Sequence, residues 1–195
     1  MDGRYKRTVA PTVDPITLSE AKDQCSISGT EDYDTYLAAL IDRATETIEK
    51  HLDRQILTST WTLSLDAFPD EVRILKPPVT AVSSVVYTDT AGDDQTLSSA
   101  NYQTDFSTQD GVARISPAYG LTWPSTRAVY NAVVVTFVCG YADAASVPYT
   151  LKHAVAFLVA HWFRQREPVV VGTIASTLPI GIEVLLATGD WGAYS

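Results

Sequence analysis

Apolar positions along the chain change their period, and those changes divide it. From Pro148 to Glu167, Leu151, Ala154, Val155, Leu158, Trp162 and Phe163 recur at helical spacing and share one face. Pro148 suits a first helical position, where no backbone donor is needed. Arg164 and Arg166 fall in the last turn, where cations meet the negative end of the helix dipole. Pro168 stops the helix, because the residue before a proline avoids helical geometry. Phe157 and Ala160 lie off the stripe, so this helix is expected to be covered on more than one side.

Two more helices are predicted upstream. Thr17-Leu18-Ser19-Glu20 fits a capping box, and a short helix runs from it to about Cys25, with Gly29 as the break. Glu31 to Asp53 is a longer helix whose stripe is Leu37, Leu40, Ile41, Ala44, Ile48 and Leu52. Its solvated face carries Asp42, Arg43, Glu46 and Glu49. Residues 1–14 are polar and basic and read as an extended arm.

At Ile56 the period drops to two. Leu57, Ser59, Trp61, Leu63 and Leu65 alternate with Thr58, Thr60, Thr62 and Ser64, the signature of a strand with one buried side. Further strands are predicted at Val72–Leu75, Val79–Thr88, Gln95–Leu97, Tyr102–Asp105, Val112–Ser116 and Val133–Cys139. Turn-type breaks separate them, among them Pro77-Pro78, Ala91-Gly92-Asp93-Asp94 and Gly120. Val133-Val134-Val135 lacks alternation and reads as a strand covered on both faces.

The predicted fold class is therefore α+β: a small α-helical bundle interrupted by an inserted antiparallel β-sandwich- or barrel-like unit, with an extended C-terminal tail. The expected division is residues 1–55 for the arm and first helices, 56–147 for the β unit, and 148–195 for the closing helix and tail. The tail from 168 onward holds Glu183 and Asp190 and no Lys or Arg. Its apolar runs are expected to dock on the chain's own body or on a partner, since fixing backbone costs roughly 1–2 kcal/mol per residue.

Charge narrows the partners. Fourteen Lys and Arg against 23 Asp and Glu leave a net charge of −9. Arg4, Lys6 and Arg7 gather positive charge at the start, so the rest is more acidic than the total. Such a body repels phosphate, which argues against sequence-independent duplex binding. No apolar run approaches the ~20 residues that span a bilayer, and the polar N-terminus lacks a signal-peptide core. A reducing cytoplasm is the expected place of synthesis. Cys25 and Cys139, the only cysteines, are expected as free thiols in apolar surroundings.

The sequence carries no persuasive catalytic constellation, and neither metal nor cofactor is expected. His153 and His161 are eight residues apart on one helix, about 80° around its axis at ~3.6 residues per turn, and do not form an i, i+4 ligand pair. His51 stands apart from both. Phosphate loops, nucleophile elbows and Cys-x-x-Cys pairs are absent from the sequence. Asp89, Asp93 and Asp94 around Gly92 read as a hairpin tip rather than a calcium loop. Trp61, Trp123, Trp162 and Trp191 read as core or subunit contacts rather than a stacking platform.

The order of parts carries a resemblance. Its stretches are Pro15-Ile-Thr-Leu-Ser-Glu-Ala-Lys22, Leu37 through Leu52, Arg54-Gln-Ile-Leu57, Val85-Val-Tyr-Thr-Asp89 with Gly92, Tyr102 and Gly111, and Trp123-Pro124. Val135-Thr-Phe-Val-Cys-Gly-Tyr141, Val147-Pro148, Leu151-Lys152, Ala154, Val159-Ala-His-Trp162, Arg166-Glu167 and Pro179-Ile-Gly-Ile-Glu-Val-Leu-Leu186 complete it. Together they resemble the head–tail connector (adaptor) proteins of long-tailed bacteriophages and gene transfer agents, in the branch with a β insertion. The chain departs from the pattern at Ala187-Thr-Gly-Asp-Trp191, where that family would carry Pro and basic residues.

The resemblance implies a virion structural protein of the neck, assembled in the host cytoplasm and without catalysis. It implies a homo-oligomeric ring, usually a dodecamer, beneath the portal protein. The ring would extend the DNA channel, pass DNA without sequence-specific binding, and carry the stopper and tail-completion proteins, with no membrane partner. On that reading the contact residues are Arg164, Arg166 and Glu167, where the long helix hands over to the tail, and Val169, Val170, Val171, Ile180 and Leu185 within it. The β insertion and the tryptophans motivate an alternative, a tail or baseplate module whose β unit binds protein or glycan. A hydrolase has only scattered Asp and His in its favour.

Overall fold

The computed structural model describes residues 3–108 and 111–165. The chain divides into two compact units: a β unit of residues up to 11 and 53–140, and a helical unit of residues 12–52 and 141–165.

The helical unit holds α1 (Leu18–Cys25), α2 (Asp34–Leu52) and α3 (Tyr149–Arg164). The predicted capping box at α1 is present: the Thr17 hydroxyl accepts from the Glu20 amide at 3.1 Å, and the Glu20 carboxylate accepts from the Thr17 amide at 2.6 Å. α1 stops before Gly29, at Ser26 in the left-handed region with φ 60°. The stripe of α2 is buried from Leu37 to Ile48, and that of α3 includes fully buried Leu151, Val155 and Leu158. Both α1 and α2 pack on α3, so three amphipathic faces close one core that none could close alone. Ala160 is buried off the main stripe, as expected of a helix covered on more than one side, whereas Phe157 is exposed. Pro148 caps α3 from outside the helix with extended backbone, φ −53° and ψ 136°, and the helix begins at Tyr149.

The β unit is built from β1 (Arg4–Val9), β2 (Ser59–Leu65), β3 (Val72–Ile74), β4 (Val79–Thr88), β5 (Asp94–Thr96), β6 (Tyr102–Asp105), β7 (Ala113–Pro117) and β8 (Val133–Cys139). They form an antiparallel five-stranded sheet in the order β1-β2-β8-β4-β5 and a three-stranded sheet in the order β3-β7-β6. One apolar core joins the sheets: Leu63, Val85, Val135 and Phe137 from the larger meet Val72, Ile74 and Ile115 from the smaller. This is a sandwich, in which each sheet buries one face against the other.

Two expectations for the β unit change. The N-terminal stretch read as an arm forms β1, paired along β2 from Arg4↔Ser64 to Val9↔Thr60. Only Tyr5 turns toward the core, its ring edge-on to Phe137 at 6.3 Å, so this edge strand has almost no alternation to read. The β8 strand is not covered equally on both sides. Val133, Val135, Phe137 and Cys139 are fully buried, while Val134, Thr136 and Val138 are half-buried. Thr136 stands in register between Thr62 and Ser84, so that face is polar at its centre. Valine occurs there because a β-branched chain suits a pleated surface.

Candidate assembly surfaces

Arg164 is exposed in the last turn of α3. With Gln24 of α1 and Phe157, Ala160, His161 and Gln165, it lines an open groove of about 300 Å³. Beside the groove, burial pushes the Cys25 thiol up from its ordinary value, and the Arg164 charge opposes that only in part. Cys25 is a buried apolar filler, not a reactive thiolate. The other expected contact residues, Arg166, Glu167, Val169, Val170, Val171, Ile180 and Leu185, lie outside the described residues.

A second surface feature runs along α3. Tyr149, His153 and Phe157 occupy positions i, i+4 and i+8 and touch in sequence: Tyr149 stacks on His153 with centroids 5.5 Å apart, and His153 meets Phe157 edge-on at 4.4 Å. Tyr149 is 77% exposed and Phe157 44%. The spacing i, i+4, i+8 is visible in the sequence, but the core stripe beside it is stronger and hides it. On the opposite side of α3, Tyr33 meets Phe163 edge-on at 5.3 Å, and the Arg43 guanidinium lies 4.3 Å from the Trp162 ring centre. Arg43, expected only to be solvated, therefore also holds α2 to α3.

The tryptophans of the β unit are likewise engaged. The Trp61 indole N–H donates to Ser59 Oγ at 2.8 Å and to Gln55 Oε1 at 3.1 Å, which satisfies two buried polar side chains. Arg7 and Lys76 approach its ring at 6.0 and 5.5 Å. Trp123 stacks on Phe68 with centroids 4.6 Å apart, and its N–H donates to the Asp70 carbonyl. Where the sandwich opens at β1 and β3, Tyr5, Leu63, Leu65, Val72 and Leu75 line a groove of about 480 Å³. The Tyr5 hydroxyl crosses it, accepting from the Leu75 amide at 2.9 Å.

The acidic tip expected around Gly92 is a turn held by its own side chain. Asp89 Oδ1 accepts from the amides of Ala91, Gly92 and Asp93 at 2.9–3.0 Å, and Oδ2 accepts from Gln95. Those bonds hold the Asp89 carboxyl below its ordinary range, the Asp93 amide contributing most. Among the described residues no group of three His, Cys, Asp or Glu is arranged to hold a metal ion, His51, His153 and His161 included. No described helix is long and apolar enough to cross a membrane. What the geometry offers is contact surface: an aromatic ladder, two shallow grooves and the edges of a sheet.

Comparison with known proteins agrees with that character. The family described as "Head completion protein" matches residues 15–172. A chain from the "Virion of native gene transfer agent (GTA) particle" superposes with TM-score 0.74 at 22% identity, covering 94% of this chain and 93% of that one. A chain from the "Neck of empty GTA particle computed with C6 symmetry" gives TM-score 0.75 at 21% identity, covering 98% and 96%. A third, from the "Neck of native GTA particle computed with C12 symmetry", gives 0.62 at 19% identity and covers 96% of each chain. No curated protein matches.

Proposed function

The chain belongs to the head completion protein family, which is structural and not enzymatic, and from that premise we propose that it is a neck subunit of a virion or gene-transfer-agent-like particle. It forms a homo-oligomeric ring beneath the portal, extends the DNA channel, and presents a platform for the stopper and tail. The observation that carries this reading is the whole-length likeness, two helices, β insertion and closing helix included, to a chain of a particle neck at TM-score 0.75. Another such neck is described with twelvefold symmetry, which motivates the dodecamer.

The charge is consistent with the role. A chain of net charge −9, repeated around a channel, repels DNA phosphate and lets the duplex slide without sticking. The contact to the portal is assigned to Arg164, Arg166, Glu167 and the apolar positions Val169, Val170, Val171, Ile180 and Leu185. Electron microscopy of purified particles carrying a label on this protein tests the proposal. Label at the neck is expected; label on the tail tip or on capsid faces would overturn it and favour the baseplate module.

A further inference from the structure

β1 and β5 are the terminal strands of the five-stranded sheet, so each presents an outer edge of backbone donors and acceptors that no further described strand takes up. The two edges carry opposite charge. β1 exposes Arg4, Lys6 and Arg7, and Arg4 pairs with Asp66. At the other end, the β4–β5 hairpin carries Asp89, Asp93 and Asp94, and the Arg127 guanidinium beside it reaches the Ala91 carbonyl at 3.5 Å. Asp89 is spent on its turn, while Asp93 and Asp94 are exposed.

That polarity selects among possible pairings. Two β1 edges repel each other, as do two hairpins; only β1 against the hairpin brings opposite charges together. An isologous dimer through either edge is therefore opposed. The favoured contact is heterologous, repeating head to tail until it closes as a ring or runs on as a filament. β1 and β5 point the same way in the antiparallel order, so a shared ladder would be parallel and limited by the three residues of β5. Side-chain charge thus supplies most of the selectivity.

We propose that the basic β1 edge of one copy docks against the acidic β4–β5 hairpin of a second copy, and that this contact joins neighbouring subunits. The proposal rests on the ring reading above and names a contact within it. Because both sets of charges are exposed, the contact weakens as salt rises and the screening length shortens.

The test is a charge swap in the full chain, scored as the fraction of protein in rings by negative-stain microscopy of necks assembled on the portal, with circular dichroism showing that each variant is folded. Lys6→Glu and Asp93→Lys, made singly, are each expected to lower that fraction roughly fivefold or more, because like charges then meet at every interface. Lys6→Glu combined with Asp93→Lys in one chain is expected to restore it. The neutral variants Lys6→Gln and Asp93→Asn fall between. Rings that persist in both single reversals, or a double variant no better than the singles, overturn the contact and leave the ring reading intact. A wild-type chain that forms no ring overturns both.

Discussion

Gly140 lies against the backbone of Leu57: a Cβ placed on it would come within 2.3 Å of the Leu57 carbonyl oxygen and 2.8 Å of the Thr58 nitrogen. Its φ is +101°, and its amide donates to the Pro78 carbonyl at 2.8 Å. Steric room and backbone angle thus both demand glycine where β8 ends. Gly140→Ala is expected to destabilise the protein by about 3 kcal/mol or more, from strain at positive φ plus overpacking against fixed backbone. That corresponds to a fall of roughly 10 °C in Tm. Gly29, at φ +87° with open space around it, supplies the control, and Gly29→Ala should cost only about 1 kcal/mol. Equal losses at the two sites in a thermal melt would refute the steric account.

The capping box gives a prediction in pH. Thr17→Ala removes the hydroxyl that accepts from the Glu20 amide and should cost about 1 kcal/mol. The Glu20 carboxyl is held below its ordinary 4.5, chiefly by the Thr17 amide. A group depressed by folding contributes fully above its ordinary value and loses that contribution as pH falls through the lowered one. The difference in Tm between wild type and Glu20→Gln should therefore be largest near neutral pH and shrink in acid below 4.5. A gap that widens on acidification would contradict the sign.

What can be read in the sequence follows the reach of each signal. Thr17 and Glu20 are three residues apart, so their cap is a local fact and visible. Val79–Thr88, Tyr102–Asp105 and Val133–Cys139 are bounded by turn residues and stand as strands with those limits. β1 escapes because its partner, β2, lies more than fifty residues along the chain, and because its charged residues leave Tyr5 as its main core contact. The opposite charges of the sheet edges need the strand order, which no spacing encodes. Phe157 and His153 each stand out in the sequence, but the ring contacts that join them in a row with Tyr149 emerge only once α3 is built.

Each core should answer to its own large side chain. Among the described residues Phe137 is the largest fully buried side chain, and it lies on β8 between β2 and β4. Phe137→Ala should cost about 3–5 kcal/mol, the transfer loss plus the cavity left behind. Leu158 occupies the matching place in α3 with no exposure, and Leu158→Ala should cost about 2–5 kcal/mol. Urea unfolding checks both. A change below about 1 kcal/mol in either case would mean that the site relaxes around the loss.

The closing segment can be tested by removing it. Residues 168–195 combine Val169-Val170-Val171 and Ile180 through Leu186 with two carboxylates and no cation. The cores described above are built from residues between Ile16 and Ala160. Deleting 168–195 should therefore leave the far-UV circular dichroism of the folded body in place and shift Tm little. Binding is a different matter. Ordering backbone costs roughly 1–2 kcal/mol per residue, and apolar burial returns about 25 cal/mol per Å². A segment this apolar can meet that cost by covering its side chains on a partner surface. The truncated chain should thus lose portal binding in a pull-down, and Ile180→Asp with Leu185→Asp in the full chain should reproduce the loss. Retained binding by both forms would remove the segment from the contact and leave Arg164, on α3, as the residue to test next.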